Sequence, residues 1–245
     1  MRFLKFGLFI LLANFAIVLN AQDHLTHKQW NTLLQAHVSK EGKVNYANLK
    51  KDEKKLDSYL MTLSKNHPKS SWHKDDQLAF WINAYNAFTV KLIVKNYPVK
   101  SIKDLGGSIY KVNTSWDIKF IKIGEKTYDL NNIEHDIIRK EFNEPRIHFA
   151  VNCASVSCPN LRNEAFVGSK LDQQLDEQAK SFINDKSKND IQSKSAKLSK
   201  IFRWFKGDFE KGDESLRDFI NKYSAVKLGE KIKIEWNDYL WDLNE

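Results

Sequence analysis

Cysteine, proline and glycine are all scarce in this sequence of 245 residues. It contains two cysteines, four prolines and nine glycines, and no stretch has the Pro/Gly/Ser composition of a flexible linker. No internal repeat is visible either. These absences argue against a chain of separate modules, and we expect residues 22–245 to form one globular domain, which at about 220 residues is long enough for a sizeable core.

A membrane-length apolar run is also lacking. The longest run, Phe6 to Leu19, follows the basic start Met1–Lys5 and leads to Ala21, a pattern typical of a signal peptide. It is shorter than the roughly 20 residues that a membrane-spanning helix needs. We predict a signal peptide at residues 1–21, a periplasmic or secreted product and no stable membrane span after cleavage; an uncleaved anchor is the alternative. Because no cysteine lies near this site, a lipid anchor there is not expected.

The net charge of +8 comes from lysines that are spread over many segments. Such a distribution favours a solvated surface over a nucleic-acid-binding patch. We therefore predict no nucleic-acid partner. A preference for acidic partners, such as cell-envelope polymers, stays open.

The hydrophobic spacing predicts a helix-rich α+β single domain with a small, mostly antiparallel sheet. Helical periodicity extends over 23–38, 49–63, 75–96, 130–142, 170–183 and 216–223. A β-hairpin is expected between Ile118 and Leu130, and a strand at Ile232–Trp236. Apolar residues alternate at Ile147, Phe149 and Val151, which predicts a central strand over 146–152.

The helix predicted at 75–96 carries few charges and should be buried nearly all round. It contains Asn83 and Asn86, and a buried amide needs hydrogen-bond partners. The two asparagines either fix loop backbone or orient a catalytic imidazole, as in a Cys-His-Asn arrangement.

Both cysteines lie in one stretch, Arg146 to Pro159, shortly after His148. In a first interpretation Cys153 or Cys158 gives its proton to His148 and attacks an acyl or amide bond. We prefer Cys153, because it begins the loop that follows the predicted strand. Three residues could hold the imidazole: Asn83, Asn86 and Glu134. Ser155, Ser157 and the loop amides could form an oxyanion hole.

Three other interpretations of the cysteines stay open. Two cysteines in an exported protein are oxidised by default, which predicts a Cys153–Cys158 disulfide. A zinc site with His148 and His135 has suitable ligand types but matches no standard spacing, and we expect no metal. In the last of the three interpretations, both cysteines are buried, unreactive thiols. The C-x₄-C spacing differs from the C-x₂-C of thioredoxin-like redox enzymes.

Several positively charged and aromatic residues are further candidates. Arg139 and Arg146 could grip a substrate carboxylate or phosphate, or pair with acids such as Glu134 and Glu141. The aromatic stretch Trp204–Phe209 either packs in the core or forms a binding surface. The substrate-binding candidates are Arg139, Arg146, Ser155, Ser157 and Cys158.

Six short motifs stand out in the sequence: FWINAYNA at 80–87, NIEH at 132–135, RIHFAVNC at 146–153, CP at 158–159, LDQQL at 171–175 and IFRWF at 201–205. In combination they resemble the bacterial DUF547 family, and the resemblance extends from about Leu33 to the C-terminus. The resemblance implies a fold but no settled activity, and similar plant domains beside coiled coils suggest scaffolding.

Two functions follow as hypotheses. The chain is either a cysteine-dependent hydrolase or acyl transferase, or a non-catalytic envelope binding or scaffolding domain closed by a disulfide. We expect no cofactor and a small-molecule, peptide or cell-envelope ligand.

Overall fold

The computed structural model describes residues 25–106 and 114–245. The predicted signal peptide lies outside these ranges. Within them the fold is α+β and helix-rich, as the sequence predicts, and no described helix has both the length and the apolar character of a membrane span.

The helical elements are distributed along the whole described chain. The α-helices are α1 (Lys28–His37), α2 (Tyr46–Lys51), α3 (Glu53–Lys65), α4 (Lys74–Asn96), α5 (Arg139–Glu141), α6 (Leu171–Asn184), α7 (Lys200–Trp204), α8 (Lys206–Phe209) and α9 (Leu216–Tyr223). A π-helix spans Asn132–Ile138, and 3₁₀ turns lie at Ile102–Leu105, Ser115–Asp117, Pro145–Phe149 and Gly168–Lys170. The helix predicted over 49–63 is interrupted at Asp52, between α2 and α3.

Helix α4 is the central element of the first half of the chain. Every residue from Leu78 to Val90 is buried, which confirms the prediction from its low charge. A helix buried all round must satisfy its polar side chains inside the protein. This is why Asn83 and Asn86 find partners in distant loops.

The strands form two small sheets. Strands β1 (Ile121–Ile123) and β2 (Lys126–Tyr128) make the predicted antiparallel hairpin. Strand β4 (Ser195–Leu198) pairs antiparallel with β3 (Asp190–Ile191) and parallel with β5 (Lys233–Trp236).

The prediction of a strand over 146–152 is wrong. Pro145–Phe149 is a 3₁₀ turn, with proline in its first position and the Glu144 carboxylate accepting from the Arg146 N–H. Pro in the first turn is preorganised for a helix. Residues 147–152 are all buried, so the apolar alternation does not correspond to one solvent-exposed and one buried face.

This 3₁₀ turn joins two apolar clusters of the described chain. Ile147 belongs to a cluster built around α4, and Phe149 to a second cluster built from α6, α7 and α9. His148 lies between these two anchors. The turn therefore fixes the imidazole at the boundary of the two clusters.

Candidate functional site

A cavity of about 190 Å³ opens beside His148. Its walls are mostly aromatic, formed by Tyr85, Trp116, Trp204, Phe205, Tyr239 and Trp241. The polar and sulfur-bearing residues are Asn131, Glu134, His135, His148, Cys153 and Cys158. A largely apolar cavity with a few converging polar groups is the usual form of a ligand site.

His148 is held by a carboxylate that the sequence analysis did not single out. Its Nε2 lies 2.7 Å from Asp208 Oδ2, and its ring stacks on Phe205 with centroids 4.0 Å apart. Burial lowers the pKa of His148 below its usual 6.5, against the opposing effect of Asp208. The imidazole is therefore neutral at pH 7. Because Asp208 is an acceptor, the single N–H is on Nε2 and Nδ1 carries a lone pair.

The Nδ1 atom of His148 is buried and has no hydrogen-bond partner in the described chain. A buried polar atom without a partner is uncommon in proteins and calls for an explanation. The arrangement is that of a general base, with one ring nitrogen held by a carboxylate and the other unprotonated.

Asp208 is also bound by Arg139. Arg139 donates from Nε over 2.6 Å and from Nη2 over 3.2 Å. The hydrogen bond from His148, and then that from Arg139, hold the pKa of Asp208 well below its usual value. Arg139 also donates to His135 Nδ1 over 3.1 Å. The predicted pairing of Arg139 with Glu134 or Glu141 is thus replaced by one with Asp208.

Glu134 lies in the π-helix and lines the cavity. The Arg139 N–H bonds to the Glu134 carbonyl oxygen, the i→i+5 pattern of a π-helix, a form that is frequent at functional sites. The pKa of Tyr85 is raised well above 10, first by burial and then by the charge of Glu134. Glu134 therefore faces the cavity beside Tyr85, and the role of holding the imidazole belongs to Asp208.

Cys153 and Cys158 form a disulfide, which confirms the predicted disulfide between the two cysteines. The Tyr239 hydroxyl donates to Cys158 Sγ over 3.2 Å and lies 3.4 Å from Cys153 Sγ. The loop turns through Ala154, whose positive φ of 59° is supported by a hydrogen bond from its N–H to Asn152 Oδ1. The sulfurs are thus part of the cavity wall, hydrogen-bonded but bridged.

The loop amides are already engaged in this oxidised state. The N–H of Cys153 donates to Cys158 Sγ over 3.0 Å, and that of Cys158 donates to the Ser155 carbonyl oxygen. The N–H groups of Val156 and Ser157 donate to the C-terminal segment, to Asp242 and Leu240. Ser157 Oγ accepts from the Leu240 N–H over 2.8 Å, and Ser155 is buried. The predicted oxyanion hole of loop amides is not free to bind a substrate in this state.

The two asparagines of α4 hold loop backbone. Asn86 donates to the Ala150 carbonyl oxygen over 2.9 Å and accepts from the Asn152 N–H over 2.8 Å. Asn83 makes the same pair of bonds with the backbone of Phe166. Neither lines the cavity, and the imidazole is held by Asp208. Through Asn86, α4 contacts the segment that carries the cysteines, so of the two roles considered for these asparagines the structure shows the fixing of loop backbone.

Arg146 is saturated by carboxylates away from the cavity. It donates to Glu144, Asp172 and Asp176. The hydrogen bonds to Glu144 are the main cause that raises its pKa. It is a structural ion-pair centre in this state.

The described residues contain no cluster of ligands suited to a metal ion, and the disulfide removes the thiolates that the zinc interpretation requires.

Sequence reasoning missed most of the aromatic walls. Trp204 and Phe205 line the cavity, whereas Phe202 and Phe209 are core, so the aromatic stretch serves both expected roles. Tyr239 and Trp241 reach the cavity because the C-terminal segment pairs with residues 101 and 155. The aromatic stretch that also contains Asp208 was the available signal.

A second cavity of about 560 Å³ lies behind the cysteine loop. It is more polar and includes Lys43, Lys188 and Glu245. Cys158 and Pro159 line both cavities, so the two are separated by the thickness of this loop.

Comparison with known proteins gives a family match. Residues 69–183 match the family described as protein of unknown function, DUF547, and they include α4, the π-helix and the cysteine loop. No curated protein and no solved structure matches the chain. Residues 69–183 of this chain are therefore a DUF547 domain.

Proposed function

We propose that the chain is an exported hydrolase or acyl transferase whose cysteine nucleophile becomes available when the disulfide is reduced. One observation carries the proposal. His148 Nδ1 is buried without a partner, its Nε2 is held by Asp208, and its ring lines the same cavity as both sulfurs. A base with an orienting carboxylate beside a thiol is the arrangement that activates a nucleophile.

Cys153 is the nucleophile and Asp208 the positioning residue. After a small-molecule thiol reduces the disulfide, the Cys153 thiol gives its proton to His148 Nδ1 and its sulfur attacks the acyl carbon. The leaving alcohol or amine takes that proton as the acyl bond breaks. Water or an acceptor then cleaves the thioester. Cys153 is half-buried whereas Cys158 is buried, which favours Cys153.

The Tyr239 hydroxyl supplies the oxyanion donor in this proposal. It lies against both sulfurs and lines the cavity, whereas the loop amides are engaged elsewhere. Export is proposed from the apolar N-terminal run after a basic start. The disulfide fits an oxidising compartment.

A non-catalytic ligand-binding domain is the second candidate, and the closed disulfide favours it. With both sulfurs bridged, the aromatic cavity can bind a ligand but has no thiol nucleophile. The two candidates differ in their response to reductant.

Two cysteine variants separate the candidates. Wild type and the C153S and C158S variants are assayed with chromogenic esters, thioesters and anilides, with and without dithiothreitol. We expect wild type to need reductant, C158S to be active without it, and C153S to be inactive in both conditions. Mass spectrometry should find the acyl group on Cys153. If Asp208 positions His148 as the general base, D208N should lower kcat by about 10²-fold or more. A C153S variant as active as C158S would refute the nucleophile.

A further inference from the structure

Two carboxylates belong to the site, and they differ in how their charge is compensated. Asp208 accepts two hydrogen bonds from Arg139. Glu134 is buried and lines the cavity; its carboxylate interacts with the buried Tyr85 side chain, whose pKa it raises, but within residues 25–106 and 114–245 it forms no ion pair with a lysine or arginine. A buried carboxylate is costly unless it is paired. The charge of Glu134 is therefore available to a ligand.

The other charges around the cavity do not neutralise Glu134. Arg139 is matched by Asp208, and its guanidinium carbon lies 4.9 Å from the centre of the Phe205 ring. His148 is neutral at pH 7 because burial lowers its pKa. Lys103 Nζ lies 5.2 Å from the centre of the Trp241 ring. Two aromatic residues of the wall thus already contact cations of the protein itself.

The remaining walls supply further ring faces around Glu134. Trp204 packs on Tyr239 with ring centres 4.8 Å apart, and Tyr239 on Trp241 at 4.6 Å. Trp116 packs on Trp241 with ring centres 5.5 Å apart. Ring faces attract cations, and Trp does so best, so an aromatic enclosure with one carboxylate is selective for organic ammonium groups.

We propose that the cavity binds an organic ammonium cation, with Glu134 as its counter-charge and the rings of Trp204, Tyr239 and Trp116 around its alkyl groups. The volume of about 190 Å³ suits one small ammonium group with a short chain. The inference rests on this cavity being the ligand site of the proposed function, but it does not depend on thiol chemistry.

The test compares a cation with an uncharged molecule of the same shape. Choline, n-butylammonium and 3,3-dimethylbutanol, the carbon isostere of choline, are titrated into oxidised protein. Binding is followed by calorimetry and by tryptophan fluorescence. We expect saturable binding of at least one cation, with the matching neutral isostere at least tenfold weaker. E134Q should weaken the cation at least tenfold and leave the isostere unchanged.

Matched variants keep the test specific to the cavity. Glu141, an exposed carboxylate in α5, provides the control, and E141Q should bind like wild type. W204L removes an exposed wall ring while Glu134 stays, and should also weaken the cation; circular dichroism checks that each variant is folded. Equal affinity for choline and its isostere, no effect of E134Q in folded protein, or no saturable binding of either cation would overturn the inference. Because the titrations use oxidised protein, they can succeed or fail independently of the hydrolase assay.

Discussion

Asp208 Oδ2 and His148 Nε2 are 2.7 Å apart, although 60 positions of chain separate the two residues. This contact links α8 to the 3₁₀ turn that carries the imidazole, and Arg139 extends it to the end of the π-helix. Three elements thus meet at one carboxylate.

Replacing Asp208 by asparagine should destabilise the fold. D208N keeps the shape of the side chain but leaves Arg139 without its counter-charge. Because Asp208 is only partly buried, we expect the free energy of unfolding to fall by about 1–3 kcal/mol, the range for hydrogen bonds to charged groups. Urea denaturation measures it. The control is D238N. Asp238 is exposed and forms a surface ion pair with Lys200, so this variant should change stability by less than about 0.5 kcal/mol. Equal effects of both variants would contradict the prediction.

His148 should make the protein less stable at mildly acidic pH. Its pKa in the folded protein lies below 6.5, so in the window from 6.5 down to that value the unfolded chain binds the proton more readily. The contribution of His148 to the free energy of unfolding is therefore complete above pH 6.5 and is lost as the pH falls through this window. H148Q should flatten the dependence of the unfolding free energy on pH between about 5 and 7.

An NMR titration of the His148 ring gives the independent check. Because Asp208 raises the pKa of His148, D208N should move that pKa further down. A wild-type pKa above 6.5 would contradict the proposed neutral base.

Reduction of the disulfide should lower the stability modestly. The bond closes a short loop, and the loop-entropy relation for a sequence separation of 5 corresponds to about 2 kcal/mol. Denaturant unfolding with and without dithiothreitol measures the difference in wild type. A C153S/C158S double variant should be insensitive to reductant and should resemble reduced wild type. A loss well above about 4 kcal/mol would show that the loop depends on the bond for its fold.

Asn86→Ala should be severely destabilising. It would leave the buried carbonyl of Ala150 and the N–H of Asn152 without partners, at a cost of about 2–4 kcal/mol. Thermal unfolding followed by circular dichroism measures the change. N66A is the matched control, because Asn66 is exposed and its side chain donates to the Thr62 carbonyl oxygen in the last turn of α3. If N86A and N66A unfolded alike, these backbone contacts would not be the reason for a buried Asn86.

The sequence predicted the local elements better than the site. Helix α4 and the hairpin could be found because periodicity and turn residues act over short distances. The 3₁₀ turn at Pro145 could not be found from the sequence. Periodicity depends on a contrast between a solvent-exposed and a buried face, and burial on all sides removes that contrast. Asp208 reaches His148, and Tyr239 and Trp241 reach the cavity, through tertiary contacts that no local pattern encodes.

The thin partition between the two cavities has a consequence of its own. Cys158 and Pro159 face the aromatic cavity on one side and the polar cavity on the other. Breaking the sulfur bridge releases the covalent tie across that partition, so both compartments change together. A fluorescent label near Lys43, in the polar compartment, would therefore report the oxidation state of a bond that also faces the opposite compartment.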